Sequence, residues 1–495
     1  MPRIIASLLA ALLALGGCTE RNSDGVDVAV IGDPADFDAS GSRFGLPGAL
    51  LRSATQQGLV RLDETGQLIP GLAERWIVTD DGLSYIFRIR PLDVPGDDRL
   101  TARTVQKSLT RSFAQLKGTT MGLDLAKVRD VRAMTARVIE IRLYTPMPGM
   151  LQLLAQPELG ITLPDIPTGP MVATRDGDSA LFAVLPPQAR GLPENADWAE
   201  NVRPVRLTAL SAEAAMEGFS QGLYEVVLGG TLADLPLVDV GPLSRGTIRL
   251  DSAMGLFGLD VRNDRGFLAE PQNREALAMA LDRSALIAPF NLAGWTPTTR
   301  VVAPGLPDDP QLTTERWVNL DQEARQAEAA RRVARWKAEN GDDITLSVAL
   351  PPGPGSDILF RELARQYGAI GIRMTRAEWQ AEGQGTKPAE ADLTLRDRVA
   401  RYPGMHWFLN QFHCRMSSAI CSADVDFLAG LSLNAATAEE RAGYLAEAET
   451  ALENDNVFIP IGAPIRWSLV RSGVQGFAEN PWSIHPLFPL AGSPM

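Results

Sequence analysis

The clearest pattern of apolar and polar positions lies between residues 80 and 116. Asp80-Asp81-Gly82 is typical of a tight turn. After it, apolar residues alternate with polar ones, which is the period of a half-buried strand; they are Leu83, Tyr85, Phe87 and Ile89. Thr101 can cap a following helix, in which four positions share one face: Val105, Leu109, Ser112 and Leu116. The pattern predicts a hairpin followed by an amphipathic helix.

Two later stretches combine strand and helix patterns in the same order. The first predicts a strand, a helix and a strand at residues 204–210, 212–221 and 222–228. The second predicts the same order at residues 344–350, 356–369 and 371–374. Strand, helix and strand in this order are typical of βαβ units with parallel strands. The sequence therefore predicts an α/β protein.

Three further segments have helical periodicity. Residues 273–283 are predicted as one amphipathic helix whose apolar face lies in the core. Residues 321–340 are predicted as a long helix capped by Asp321. Thr437 and Glu440 have the spacing of a capping box, which predicts that another helix begins there.

The composition is that of a folded, acidic protein with more than one lobe. At 495 residues the chain exceeds an ordinary domain, so two or three lobes are expected. A formal net charge of −13 argues against nucleic acid as a partner, because such a partner requires a basic surface. With three His and three Cys, a metal site built from several His or from four Cys is not expected.

The sequence motifs of common enzyme classes are absent. The chain contains no Gly-x-Ser-x-Gly, no His-Glu-x-x-His, no phosphate loop and no dinucleotide-binding glycine pattern. The His residues all occur late in the chain, as His406, His413 and His485. The sequence predicts neither an enzyme nor a cofactor, although 60 acidic residues leave a catalytic carboxylate pair open.

The N-terminus has the pattern of an export signal. Arg3 precedes an apolar run at residues 4–15, which is too short to span a bilayer stably. The run ends in Leu15-Gly16-Gly17-Cys18, which resembles the bacterial lipobox. Residues 1–18 are therefore predicted as a lipoprotein signal peptide, with Cys18 as the lipidated mature N-terminus and residues 19–25 as a polar tether. An ordinary secretory signal that contains a Cys is the alternative.

Several residue groups occur in an order that is typical of one bacterial family. They are Gly58-Leu59, Pro70-x-Leu72-Ala73-x-x-Trp76, Asp81-Gly82-Leu83-x-Tyr85-x-Phe87-x-Ile89-Arg90 and Thr101-Ala102-x-x-Val105-x-x-Ser108-Leu109-x-Arg111. Together they resemble the extracytoplasmic solute-binding proteins of family 5, the oligopeptide, dipeptide and nickel binders of ABC importers. The resemblance extends over residues 26–490. Thr104 and Asp260 depart from it, because the family usually has an acidic residue and an Asn at these positions.

The resemblance implies an α/β architecture, the periplasmic-binding-protein type II fold of class C. Two large α/β lobes are joined by a hinge, and an additional small lobe is attached. The predicted divisions are lobe I at 26–50, 167–255 and 471–495, small lobe Ib at 51–166, and lobe II at 256–470.

The resemblance also implies where a ligand binds. In the peptide binders of the family, the Asp of a Trp-x-x-Asp-Tyr segment binds the ligand's α-amine. In the matching segment of this chain, Arg398 stands at the Trp position, Arg401 at the Asp position and Tyr402 at the Tyr position. An arginine repels an amine and suits a carboxylate, sulfate or phosphate. The sequence therefore predicts a ligand that is anionic or lacks a free amine at this position. Phe44 and Phe257 are candidate aromatics of the ligand cleft.

Other interpretations of this segment remain open. Trp407 is a third candidate cleft aromatic, but core packing is an alternative for all three aromatics. The arginines at 396, 398 and 401 can also pair with Asp392, Asp397 or other residues, or face solvent. A shift of the alignment would place Asp397 at the amine position.

Cys414 and Cys421 are separated by six residues. Outside the cytoplasm such a pair is expected to form a disulfide, and dipeptide-binding members of the family carry a small disulfide loop here. A metal site formed by His413 and both thiols is the alternative.

The predicted function is that of a substrate-binding lipoprotein of an ABC importer. It would capture a peptide-like or other small solute, including an anionic one, and deliver it to the permease and ATPase complex. The protein is predicted to be a monomer in the periplasm or cell envelope, held at the membrane only by its lipid anchor. Thr19 after the lipidated Cys leaves sorting to an outer membrane open. The alternative is a divergent surface or sensory lipoprotein of the same fold that no longer takes part in transport.

Overall fold

The computed structural model describes residues 25–38, 44–91, 100–163, 167–238, 246–380, 390–416 and 420–492. The predicted signal peptide, the predicted lipidation site Cys18 and nearly all of the predicted tether lie outside these residues. Among the helices of the described ranges, none has the length and apolar character needed to cross a membrane.

Eighteen strands occur in the described part of the chain. They are β1 (Val26–Ile31), β2 (Val60–Leu62), β3 (Leu68–Pro70), β4 (Ala73–Val78), β5 (Ser84–Ile89), β6 (Val128–Ala133), β7 (Val138–Leu143), β8 (Met171–Asp176), β9 (Ser179–Val184), β10 (Val205–Leu210), β11 (Val226–Thr231), β12 (Ile248–Leu250), β13 (Gly255–Val261), β14 (Ile344–Ala349), β15 (Ile372–Ala377), β16 (Leu393–Val399), β17 (Phe458–Gly462) and β18 (Arg466–Val470).

The α-helices connect and cover these strands. Within the described residues they are α1 (Leu46–Thr55), α2 (Ala102–Gln115), α3 (Thr120–Leu125), α4 (Met150–Leu154), α5 (Ala212–Ser220), α6 (Pro271–Ala280), α7 (Arg283–Ile287), α8 (Gln322–Asn340), α9 (Pro354–Ala369), α10 (Met405–Asn410), α11 (Ala423–Ser432), α12 (Ala438–Asp455) and α13 (Leu487–Leu490). Short 3-10 helices include Pro157–Leu159 and Gln188–Arg190.

A seven-stranded sheet has the order β12-β18-β11-β1-β10-β9-β8. The predicted strand-helix-strand unit lies at its centre, where β10 and β11 flank β1 and run parallel to it. The second strand of the unit begins at Val226 rather than at the predicted Gly222. Gly222 has a φ of +79° and forms the turn after α5, and the Glu225 carboxylate is held by the backbone N–H of Asp27 at 2.6 Å.

A five-stranded sheet has the order β15-β14-β16-β13-β17. β14 and β15 run parallel and are joined by α9, as the second predicted unit requires. β16 pairs antiparallel with β13 along its whole length, from Val261↔Leu393 to Gly255↔Val399. Its other edge pairs with β14 only at Leu393 and Thr394.

A four-stranded antiparallel sheet, β4-β5-β7-β6, forms the core of residues 51–166 with α2. The predicted alternation in β5 is confirmed, because Tyr85, Phe87 and Ile89 are buried. Thr101 caps α2, accepting a hydrogen bond from the backbone of Thr104, and the Thr104 side chain accepts one from the backbone of Thr101. Thr104 therefore completes the capping box that an acidic residue would otherwise provide.

Two further predicted boundaries differ from the structure. Residues 273–283 do not form one helix: α6 ends at Ala280, and Asp282 caps the separate helix α7 by accepting from the backbone of Ala285 at 2.9 Å. β18 falls within the range predicted for lobe II, yet it pairs with β11 and β12 in the seven-stranded sheet. The chain therefore leaves the five-stranded sheet after β17, before the predicted position 470. The division into lobes that move separately stays a prediction.

One apolar core is shared between the small four-stranded sheet and the end of the five-stranded sheet. Leu116, Met121 and Leu125 belong to the same buried cluster as Met405 and Phe408. Helix α10 packs directly on helix α3. The predicted small lobe and predicted lobe II thus form one continuous interior at this junction.

Candidate ligand-binding site

The segment predicted to bind a ligand is an incompletely paired strand. The backbone N–H of Ala400 donates to Met254 at 2.7 Å, and that of Arg262 donates to Asp392 at 2.8 Å. In an antiparallel ladder, these bonds place the backbone groups of the even-numbered residues of β16 toward β13. The groups of Leu395, Asp397 and Val399 therefore point to the opposite edge, where β14 does not reach.

This free edge is the first element of the candidate site. Among the described residues no other strand pairs with it beyond Thr394. The carbonyl of Asp397 accepts a hydrogen bond from the Arg466 guanidinium at 3.3 Å. An edge of this kind can accept an extended chain by main-chain hydrogen bonding.

Arg401 forms an ion pair with the predicted small lobe. Its Nη2 lies 2.7 Å from Oε1 of Glu158, which is held in the 3-10 helix Pro157–Leu159. The amide of Gln156 also donates to the Arg401 carbonyl at 3.2 Å. Burial opposes the charge of Arg401, but the attraction and hydrogen bond of Glu158 outweigh it and raise the pKa of Arg401. The positive charge predicted to meet a ligand is therefore already compensated within the protein.

Tyr402 lies in the same junction and is buried. Its hydroxyl donates to Oδ1 of Asp124 at 2.6 Å, and the Asn410 amide donates to the same oxygen at 2.7 Å. The Tyr402 ring packs against Gly149, where a Cβ would lie 2.4 Å from the ring. Burial raises the pKa of Asp124, although Lys127 and the two hydrogen bonds oppose the shift.

Lys127 and Asp308 complete this buried polar cluster. Burial lowers the pKa of Lys127, while Asp124 and Asp308 act in the opposite direction. Asp308 accepts hydrogen bonds from the backbone N–H of Met405 at 3.0 and 3.1 Å. Sequence analysis missed Asp124, Lys127 and Asp308, because isolated charged residues in a sequence give no sign that they will be buried.

The neighbouring arginine of β16 also has a carboxylate partner. Arg396 is buried and forms an ion pair with Asp260 at 2.8 Å. Asp260 stands where the family usually has Asn, and its carboxylate supplies the counter-charge for Arg396. An acidic residue at this unusual position was therefore the sign in the sequence from which the ion pair could have been predicted.

Asp397 pairs with Arg466 at 2.7 Å. Asp392 accepts from the backbone and hydroxyl of Ser347. Arg396 and Arg401 thus pair with acidic residues other than Asp392 and Asp397, which is one of the arrangements that the alternative interpretation left open.

The other predicted contact residues have different surroundings. Arg398 donates to Oε1 of Gln411 at 3.0 Å.

Of the predicted cleft aromatics, Phe257 is 1% exposed and lies in the core of the five-stranded sheet. Trp407 is also buried, with its ring edge-on to Phe408. Phe44 is half-buried beneath the guanidinium of Arg52. Core packing therefore describes Phe257 and Trp407 better than exposure in a cleft.

The predicted disulfide is confirmed, because Cys414 and Cys421 are bonded to each other. His413 instead lies 3.2 Å from a carboxylate oxygen of Asp426. In the part of the chain that the structure describes, no group of three or more His, Cys, Asp or Glu side chains could hold a metal ion.

Comparison with known proteins places this geometry in context. The chain is 23% identical over 538 aligned positions to a probable di/tripeptide-binding protein 5 of Pseudomonas aeruginosa, covering 96% of this chain and 94% of that protein. Haemophilus influenzae OppA in complex with the peptide RPPGFSPFR has a similar fold, with a TM-score of 0.77 at 18% identity over 94% of this chain and 98% of OppA.

The murein tripeptide binding protein MppA of Escherichia coli gives the same TM-score, 0.77, at 17% identity over 94% of this chain and 97% of MppA. The family model of the bacterial extracellular solute-binding proteins, family 5, matches residues 67–417. This match spans most of the chain. The chain therefore belongs to the bacterial extracellular solute-binding proteins of family 5.

Proposed function

We propose that the protein is the receptor of an ABC importer, which captures a peptide between its two large lobes and delivers it to the membrane permease. The observation that carries the proposal is the free edge of β16 at Leu395, Asp397 and Val399. An extended peptide can add to such an edge as a further strand. Relatives and fold neighbours named as peptide-binding proteins support this ligand class.

Ligand capture follows from a shift between open and closed arrangements of the lobes. Two short segments join the seven- and five-stranded sheets, at residues 251–254 and 463–465. Changes in the backbone of these two segments would rotate one sheet relative to the other. A peptide that contacts both lobes only in the closed arrangement stabilises that arrangement. No covalent chemistry is required.

The proposed recognition is through the peptide backbone rather than through an acidic residue at position 401. Arg401 is compensated by Glu158, so an anionic ligand group would have to displace a carboxylate that is already bound. An α-amine would meet the guanidinium and be repelled. We therefore propose that Arg401 links lobe II to the small lobe, and that the ligand's N-terminus lies away from it. Arg398 remains a candidate contact at the same end of the strand.

The experiment that tests this proposal is peptide binding by a protein of residues 19–495. A library of di- to tetrapeptides is screened by native mass spectrometry, and the tightest ligand is then measured by calorimetry. N-methylation of an amide that pairs with β16 should weaken binding by about tenfold or more, because the methyl group removes the hydrogen-bond donor. Methylation of the adjacent amide, which points away from the edge, is the matched control. Equal effects at both amides would disprove strand addition.

The proposed cellular location is the periplasm or cell envelope, with Cys18 as the lipid anchor. Several acyl chains on one residue hold a protein stably at a membrane. Cys18→Ala should move the protein from the membrane fraction to the soluble fraction while leaving peptide binding unchanged. A protein that stays in the membrane fraction after this change would contradict the anchor.

A second candidate function is a surface or sensory lipoprotein that has lost transport. It is favoured by the internal pairing of Arg401 and by the burial of Tyr402, Phe257 and Trp407, because these side chains then offer little to a ligand. The same screen decides between the two functions. A thermal stability that no peptide changes would favour the second.

A further inference from the structure

Three arginines lie close together where the predicted small lobe meets lobe I. Arg61 comes from β2, Arg90 follows β5, and Arg190 ends the 3-10 helix Gln188–Arg190. The guanidinium carbons of Arg61 and Arg190 lie 5.5 and 5.1 Å from the centre of the Phe488 ring. Arg90 donates to the backbone carbonyl of Arg190 at 3.2 Å. Two positive side chains thus lie over one aromatic ring, and the third is hydrogen-bonded to the backbone of Arg190.

Within the ranges that the structure describes, no carboxylate lies within ion-pair distance of these charges. Among the described residues, none of the three arginines forms an ion pair within 4 Å, and the Nε atoms of Arg90 and Arg190 are buried without a hydrogen-bond partner. Attraction by Asp63 and Glu64 opposes the lowering of the pKa of Arg61, and attraction by Glu74 opposes that of Arg90. Because these carboxylates act from beyond ion-pair distance, the described part of the chain compensates the cluster only in part.

The charge persists at neutral pH. Burial, reinforced by repulsion from Arg90 and Arg190, lowers the pKa of Arg61 to about 10. A guanidinium with this pKa is still protonated at pH 7. Unlike a buried carboxyl group, it cannot relieve the repulsion by changing its protonation state.

A cavity of about 40 Å³ adjoins the cluster. Its lining includes the Arg61 side chain, the Phe488 ring and the polar residues Ser53, Gln57 and Gln156. One buried water needs roughly 10–15 Å³ of such space, so the cavity has room for several non-hydrogen atoms. The donors of Ser53, Gln57 and Gln156 are already bonded to backbone carbonyls. Arg61 is therefore the charged donor that this lining offers, and Arg90 and Arg190 are not part of it.

We propose that this junction binds a small oxyanion, a phosphate or carboxylate group, held by Arg61 with Arg90 and Arg190 as supporting charges. Guanidinium groups bind both kinds of oxyanion through paired N–H donors. Because Arg61 and Arg90 belong to the predicted small lobe and Arg190 to lobe I, a bound anion ties the two together. The site lies apart from the free edge of β16 and goes beyond the proposed capture of a peptide.

The test compares sodium phosphate, sodium acetate and sodium chloride at equal ionic strength and pH, using the protein of residues 19–495. Thermal unfolding should shift upward with phosphate or acetate in a saturable way, as expected for a ligand that binds only the folded state. Calorimetry with the same salts gives a Kd. The salt that acts identifies whether a phosphate or a carboxylate is preferred.

The variant Arg61→Gln should lose the shift, and Arg190→Gln should weaken it several-fold. Arg61→Lys, which keeps the charge but lacks the paired donors, should retain a weaker response if Arg61→Gln fails to fold. Arg88→Gln is the matched control, because Arg88 lies on the neighbouring β5 but already pairs with Glu74 at 2.7 Å. It should respond as the unchanged protein does.

Two outcomes would overturn the proposal. One is an equal response to chloride and to the oxyanions, or an equal response in Arg61→Gln, which would indicate general salt effects. The other concerns Asp97 and Asp98, which follow Arg90 in sequence and lie outside the described residues. If only the Asp97→Asn/Asp98→Asn protein responds to phosphate, the chain's own carboxylates neutralise the cluster and no external anion is needed.

Discussion

Two junctions of the small lobe use arginine in opposite ways. Toward lobe II, Arg401 is bound by Glu158 across the junction, and Tyr402 and Asn410 share the carboxylate of Asp124. Toward lobe I, Arg61 and its two neighbours have no carboxylate within ion-pair distance among the described residues, and Asp63 and Glu64 act on Arg61 only from farther away. A charged side chain in a candidate site therefore indicates a ligand only when the fold leaves its charge largely uncompensated.

The largest expected effect is the loss of the carboxylate in the compensated junction. Asp124→Ala should destabilise the protein by about 3–5 kcal/mol, because Tyr402 and Asn410 lose their acceptor and Lys127 loses a buried counter-charge. Urea unfolding measures this change. Asp130→Ala, on the same lobe, removes a carboxylate at a strand surface and should cost about 1 kcal/mol or less. An equal loss of stability in the two variants would show that the burial of Asp124 does not make it more important than Asp130.

A buried carboxyl group differs from the Arg61 cluster, because it can lose its charge by binding a proton. Burial, reinforced by repulsion from Glu449, raises the pKa of Glu453 to about 8. The raised pKa means that the folded state binds this proton more tightly than the unfolded chain does. The resulting stability is complete below the ordinary pKa of glutamate and is lost as the pH rises through about 8.

Stability should therefore fall by about 1.4 kcal/mol for each pH unit between about pH 4.5 and about pH 8, and this dependence should level off above pH 8, where both states are deprotonated. Urea unfolding between pH 5 and pH 9 measures the slope and its levelling off, and Glu453→Gln should remove most of the slope. If Glu453→Gln leaves the slope unchanged, the pH dependence of stability comes from other titratable groups. Arginine has no such protonation change near neutral pH, which is why the Arg61 cluster is expected to need an anion.

The Arg401–Glu158 ion pair should contribute a smaller amount. The Arg401 side chain is 36% exposed, so solvent screens the pair, and a coupling energy of about 1 kcal/mol is expected. A double-mutant cycle of Arg401→Met and Glu158→Gln measures it. A coupling energy near zero would mean that Glu158 does not compensate the charge of Arg401. The sequence-based prediction that Arg401 binds an anionic ligand would then be supported.

The smallest expected effect is in the uncompensated cluster. In buffer without oxyanions, Arg61→Gln should change the free energy of unfolding by about 0.5 kcal/mol or less, because the relief of repulsion offsets the lost contact with Phe488. With phosphate present, the same variant should be less stable than the unchanged protein. A large loss of stability in both buffers would show that Arg61 has a structural partner.

Much of the local structure could be predicted from the sequence. The alternation in β5, the Thr101 cap of α2 and the Asp321 cap of α8 are all confirmed, because each depends on neighbours within a few residues. The break between α6 and α7 was missed, since Asp282 fits either a helix interior or a cap. The position of β18 was missed for another reason. The sheet that a strand joins depends on partners far away in sequence, such as Val227↔Leu469, which are 242 residues apart.

By itself, the sequence determined the family, the α/β architecture and the place of Arg401 in the segment that resembles the family's ligand-binding segment. These depend on residue order and on the local periodicity of apolar side chains. Only the tertiary structure decided which charges are compensated. Glu158 and Arg401 are 243 positions apart, and Arg61 and Arg190 are 129 apart. Pairing at such separations is set by how the lobes pack together, because charge interactions depend on distance in space and on burial.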